Sequence, residues 1–355
     1  MLYLIMPQKG FSKVPLWLPY LSEIRLYPTG VRFVYKGGKV RIEYKAIHSI
    51  MIYGKHPPLP QEFLENCARY KIPIVIHRRN MIRAVWITPN FTSGRVDLLT
   101  PQILFRENQK KRLHIAKRLL IAKFRSMQWL VAPPSLNILR INDLDRLRQI
   151  EANHARRYWD TYYRLLGSDA SRRQKGNIIT QVLDAYSKFV SSIILRWIHF
   201  HNLSPYHGYL HEPTDYPSLV YDFFEPLRGY FDKIVFDTLR KHKKENLTDE
   251  GITGKVINAI KEFFEKKTYV HSTKQIVTMH ELLHGIVLAF RAYLLGDSYR
   301  FIVPIPAKPK TGRPIKAGFV LYGHKAGVID YFGIAKQIAS SFEEEYTPKF
   351  LREGE

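Results

Sequence analysis

Residues 218–232 read SLVYDFFEPLRGYFD. Apolar side chains recur there every three or four positions, the period of a helix packed on one face. Asp222 and Glu225 stand three apart, so they share a face of that helix. Pro226 follows at once. Inside a helix its ring presses on the carbonyl four residues back, and it has no N–H to donate, so a kink is expected beside the two carboxylates. Two acids beside a proline, flanking Phe223 and Phe224, are an unusual arrangement for a plain surface helix.

Outward from this stretch the same period governs residues 100–131, 142–166, 177–202, 217–241, 254–266 and 273–295, which read as long helices. Before residue 90 the pattern is different. Residues 24–27, 31–35 and 40–44 alternate β-branched or aromatic with polar side chains, and turn signals at 28–30 and 37–38 separate them. Residues 46–53 and 72–76 are continuously apolar, as buried strands are, with a short helix at 60–70 between them. The fold class is therefore α+β: a small β-rich N-terminal domain (1–90), a hinge (91–97) and an all-α domain (98–302). Beyond it, IPAKPKTGRPIK (305–316) cannot be helical; 303–355 is expected to be a basic, proline-rich linker with a last packed segment.

The chain of 355 residues carries 55 Lys+Arg against 31 Asp+Glu, a formal net charge of +24. Residues 1–95 hold 15 of the basic and 4 of the acidic side chains, so the excess is spread over both halves. Such a surface points to an anionic polymer, because basic side chains that neutralise phosphates release condensed counterions. With Cys67 as the only cysteine, an internal disulfide and a thiolate zinc cluster are excluded. The run 1–6 lacks the form of a signal peptide, and the apolar run between Glu281 and Arg291 is too short for a membrane span. A soluble, cytoplasmic protein is expected.

In so basic a chain, carboxylates at apolar helix positions need a partner. His211 lies in the loop GYLHEPTDYP before the 218–232 helix, and Glu151 on an earlier helix in RQIEANHARRYW. Carboxylates with one imidazole make a hard O/N donor set suited to Mn²⁺ or Mg²⁺. The same residues also read as solvated helix charges and a locally bonded loop histidine, and spacing alone leaves both readings open.

The segments GYLHEP, SLVYDFFEPLRGYFD and IEANHARRYW resemble the signature of the CRISPR-associated integrase/endonuclease family of the spacer-acquisition complex, Cas-one (Cas1). Asn177, where the family has an asparagine opening a helix, LLGDSYRF (294–301) and the order of strands around GGKVRIEY, IHSIMIYG and KIPIVIH resemble it too. The resemblance spans roughly residues 20–302. It implies a metal-dependent enzyme that inserts short DNA fragments into a CRISPR array, the 3′-hydroxyl of the fragment attacking a target phosphodiester. It implies Glu151, His211 and Glu225 as ligands of Mn²⁺ or Mg²⁺, and Asp222 as a fourth acid of the catalytic set, either a ligand or its neighbour. It further implies a homodimer formed through the β-rich domain, a small companion protein, Cas-two (Cas2), and double-stranded or branched DNA as partner. Arg156, Arg157 and Arg228 near the acids, and Lys308, Lys310 and Arg313 in the tail, are the candidate DNA contacts. Two departures stand out: the segment after 303 is long for the family, and SRRQKGN before Asn177 lacks the family's proline-aspartate form.

Three other functions compete. A casposon-type integrase shares these motifs. A non-catalytic scaffold would need only the basic surface. His280-Glu281-Leu282-Leu283-His284 has the H-E-x-x-H form of zinc metalloproteases. Such a site needs a third protein ligand downstream; the nearest acids after His284 are Asp297 and Asp330 and no histidine follows until His324, whereas the apolar side chains around the motif suggest a packed terminal helix.

Overall fold

The structure is a computed structural model; it describes residues 13–78, 81, 83–89, 98–172, 174, 176–242, 249–273, 275–307, 320–323 and 327–330. The chain divides into two compact units, Met1–Glu265 and Lys266–Glu355.

In the first unit, β2 (Leu21–Tyr27), β3 (Gly30–Tyr35) and β4 (Gly38–Glu43) form an antiparallel meander. Gly37, at φ +102°, makes the second turn with a backbone that only glycine adopts freely. A four-stranded sheet follows in the order β1 (Val14–Pro19), β5 (Ile47–Tyr53), β6 (Ile74–His77), β7 (Val85–Ile87), parallel except at β7. The sequence reading omits β1 and β7, whose prolines and short length obscure strand periodicity. Helix α1 (Gln61–Arg69) crosses between β5 and β6 and buries Phe63 and Cys67 with Leu18, Phe33, Ile50 and Ile74. Every residue of β5 is buried, as its continuous apolar run requires.

What covers the other face of β5 is a helix. Ser49 Oγ meets Ser192 Oγ at 3.1 Å, the His48 ring meets Trp197 at 4.9 Å, and Arg196 Nη1 donates to the carbonyls of His48 and Lys71. These partners lie on α5 (Ile178–Phe200). Among the described residues α5 alone is long and apolar enough to cross a membrane, and its apolar window is 78% buried inside the protein. Against it pack α6 (Ser218–Lys241) and α7 (Asp249–Glu265); α3 (Gln109–Met127) packs on α6, and α2 (Leu99–Glu107) and α4 (Leu144–Leu165) on α3.

Helix starts follow capping chemistry. Asn108, Asp143 and Asn177 each accept a backbone N–H of the first turn of α3, α4 and α5. The expected single helix over 100–131 is two, because Asn108 ends one and caps the next. Helix α6 runs unbroken through Pro226. Beyond the proline it lies against α3 so closely that a Cβ on Gly229 would come within 2.3 Å of Ser126 backbone atoms.

The second unit holds the antiparallel hairpin β8 (Lys267–Val270) and β9 (Gln275–Thr278), with β10 (Pro306–Ala307) on β8, then α8 (Met279–Leu294). The expected helix over 273–295 therefore starts too early, and the part beyond 265 is not purely helical. A second hairpin pairs β11 (Val320–Gly323) with β12 (Gly327–Asp330). The expected hinge at 91–97, the candidate contacts Lys308, Lys310 and Arg313, and the apolar run after Asp330 lie outside the described residues.

Candidate active site

The four singled-out side chains reach one region of the first unit from three places. Helix α4 brings Glu151, α6 brings Asp222 and Glu225 one turn apart, and the loop between α5 and α6 brings His211. Three other helices' side chains pin that loop. Gln102 of α2, fully buried, donates to the carbonyls of Ser204 and His207 and accepts from the Ser204 N–H. Arg112 of α3 donates to the Tyr209 carbonyl and Arg148 of α4 to that of Leu210.

Asp222 completes the arrangement from below. Its Oδ2 accepts the N–H groups of Tyr209 (2.5 Å) and Leu210 (3.0 Å), and its Oδ1 those of His211's backbone (3.1 Å) and ring Nδ1 (2.6 Å). The carboxylate is fully buried, and all its contacts hold the loop and the imidazole. Gly208 is required beside it, since a Cβ there would lie 2.7 Å from the His211 carbonyl oxygen and 3.0 Å from Asp222 Oδ2. Because a carboxylate takes the Nδ1 proton, the other ring nitrogen, Nε2, carries the lone pair, the form in which histidine ligates metals. Burial works against charging His211, but the Asp222 carboxylate outweighs it and raises the imidazole's pKa.

Glu151 and Glu225 meet through a cation. Lys123 of α3 places Nζ 2.5 Å from Glu151 Oε1 and 2.6 Å from Glu225 Oε2, with its side chain 6% exposed. Arg228 clamps Glu225 from the other side, Nε and Nη2 lying 3.1 and 2.9 Å from Oε1. Burial alone would raise the pKa of Glu225; Arg228 and Lys123 overcome it and hold the carboxyl far below the usual range. Arg228, expected at the DNA, is thus bound inward to an acid, whereas Arg156 and Arg157 are exposed on α4.

The structure joins Glu151 to Glu225 through Lys123 and His211 to Asp222; among the described residues no three His, Cys, Asp or Glu side chains stand together as a metal cage. The donor set nonetheless fits a hard divalent cation. Two carboxylates already share one positive charge, and an imidazole is held with its Nε2 lone pair available.

Two participants escape a reading of sequence. Lys123 falls on the apolar stripe of α3, in step with the buried Leu113, Ala116, Leu120 and Met127, and that position is the signal that could reveal it. Asp232, two turns after Glu225 on α6, is fully buried, and its carboxylate accepts the Tyr186 hydroxyl.

The H-E-x-x-H motif is spent on structure. Glu281 forms a capping box with Thr278 at the start of α8: its Oε2 accepts the Thr278 N–H at 2.8 Å, and its own N–H donates to Thr278 Oγ1. His280 and His284 are buried, and burial lowers the His280 pKa to about 3. Of the remaining histidines, His207 bonds Ser204 Oγ at 2.7 Å, and burial lowers His199 to about 4.

Among solved structures, a casposase bound to integration product is similar at 18% identity and TM-score 0.67, covering 92% of this chain and 98% of that one. A Cas1 protein from Thermotoga maritima is similar at 18% identity and TM-score 0.65, covering 82% and 99%. A TtCas1–DNA complex is similar at 14% identity and TM-score 0.55, covering 88% and 98%. No protein of curated function matches the chain by sequence. The model of the family described as CRISPR associated protein Cas1 matches residues 22–253, the stretch that contains Glu151, His211, Asp222 and Glu225, and the chain belongs to that family.

Proposed function

We propose that the protein is a metal-dependent DNA integrase and endonuclease that inserts short DNA fragments into a CRISPR array by transesterification. The observation that carries this reading is the convergence of Glu151 and Glu225, from different helices, on a single cation position, beside an imidazole aimed by Asp222. Membership of the Cas1 family supports an integrase or nuclease acting on DNA. Glu151, Glu225 and His211 Nε2 are the residues that would hold Mn²⁺ or Mg²⁺. The ion would stabilise the charge that develops on the phosphoryl oxygens.

The chain's own groups do the rest. Asp222 fixes the tautomer and direction of His211. Arg228 keeps Glu225 ionised within a buried site. Arg156 and Arg157, exposed along α4 beyond Glu151, would take flanking phosphates. Structural neighbours that include a Cas6-RT-Cas1–Cas2 complex and a TtCas1–DNA complex support DNA and a Cas2 companion as partners. The β-rich module is proposed as the dimerisation surface.

Glu151→Ala and His211→Ala should each abolish strand joining on a branched DNA substrate with Mn²⁺, while DNA binding and the folded state persist. Full joining in either variant would remove the proposed site. A casposon-type integrase would use the same residues; the extensive match to a casposase favours keeping it as the second reading. Flanking terminal inverted repeats, instead of a neighbouring repeat array, would distinguish it.

A further inference from the structure

Lys123 enters the site from α3, 5% exposed, with its ammonium between the carboxylates of Glu151 and Glu225 at 2.5 and 2.6 Å. An ammonium so buried is costly unless paired, and two carboxylates this close repel each other unless a cation separates them. Burial alone would lower the Lys123 pKa; Glu225 and Glu151 more than offset this and keep the amine charged. Arg228 also serves Glu225, Nη2 donating to Oε1 and Nε reaching both Oε1 and Oε2 at 3.1 and 3.2 Å, whereas Lys123 is the group that bridges Glu225 Oε2 to Glu151 Oε1. These are the oxygens that a divalent cation would need.

We propose that Lys123 is a positioning residue that acts as a built-in counter-cation: it holds Glu151 and Glu225 together and competes with the divalent metal for the same carboxylate oxygens. The inference rests on the reading of Glu151 and Glu225 as metal ligands. A bound ion must displace the ammonium from both acids, so the affinity for metal is set lower than the ligand set alone would give. Displacement also turns a lysine that is locked in the interior into a free amine.

The competition is measurable without turnover. Mn²⁺ binding to the full chain would be followed by titration calorimetry and by the rise in melting temperature over an EDTA control. In Lys123→Met and in the milder, neutral Lys123→Gln, Mn²⁺ affinity should rise at least about tenfold, since a like charge has left a buried site. The melting temperature in EDTA should fall and the Mn²⁺-induced rise should exceed that of the unaltered protein. A lysine with a merely structural role would lower stability without raising metal affinity. Should neither variant fold, the unaltered protein still provides the test: Mn²⁺ should accelerate reductive methylation of Lys123, read by mass spectrometry, relative to EDTA. Equal Mn²⁺ affinity in the variants and the unaltered protein, with binding lost in Glu225→Gln, would overturn the role of Lys123 and leave the metal reading standing. So would methylation indifferent to Mn²⁺. Absence of Mn²⁺ binding in all of them would overturn both.

Discussion

At the residue scale the site depends on acids that do different work although they share one helix. Asp222 has both oxygens committed to N–H donors, three from the loop backbone and one from the His211 ring. Replacing it with alanine leaves those donors buried without an acceptor, which costs about 3 kcal/mol or more. Asp222→Ala should therefore lower stability in urea unfolding and lose joining activity as fully as His211→Ala; a variant of unchanged stability would show that Gln102, Arg112 and Arg148 hold the loop without it. Asp232 responds to pH. Burial is the main cause that lifts its pKa from 3.8 to about 6. A raised folded-state pKa means that the protonated form is the one favoured by folding. Its stabilisation is complete below about pH 4 and is lost as pH rises through about 6. Asparagine at 232 can still accept from Tyr186 but never ionises. Asp232→Asn should gain up to about 3 kcal/mol on the unaltered protein between pH 4 and pH 7.5. A stability difference that stays constant across that range would sink the assignment.

At the scale of elements, helix ends and close approaches decide what the motifs mean. The proline of α6 leaves the helix continuous, and Gly229 past it lets α3 come near enough for Lys123 to reach Glu225. The α8 capping box gives Glu281 a structural task, since its carboxylate takes the Thr278 N–H at the helix start. His280→Ala combined with Glu281→Ala should lower the melting temperature through loss of a cap, about 1 kcal/mol, and of a buried imidazole. Metal-dependent joining at a permissive temperature should persist. Zinc-dependent peptide cleavage that disappears in this double variant would establish the protease reading instead.

At the scale of the whole molecule, charge governs association. A net +24 spread over the chain predicts mainly electrostatic DNA binding that varies little with sequence. If about six phosphates are neutralised, the log–log dependence of affinity on salt should have a slope of about −5. Replacing Lys308, Lys310 and Arg313 together with alanine should make that slope shallower and weaken all DNA sequences alike, with single-turnover joining preserved at saturating protein. Affinity of the intact protein that does not respond to salt would undermine DNA as the partner.

The sequence alone determined the α+β class, most helices, the buried strand β5 and the four residues that carry the family resemblance, because each is written in local periodicity, capping residues or a short motif. It marked Lys123 only by its place on the apolar stripe of KKRLHIAKRLLIAKFR, and the two carboxylates that it joins appear once α3, α4 and α6 are packed together. It likewise offered Arg228 as a DNA contact, although folding turns that guanidinium onto Glu225. Its reading of 218–232 found two neighbouring acids but not their division of labour. Only the tertiary structure shows Asp222 occupied by the loop it anchors and Glu225 shared between Lys123 and Arg228. The physical reason is the same throughout. Periodicity records which face of an element is buried, whereas the partner of a buried charge is set by distance across elements far apart in the chain.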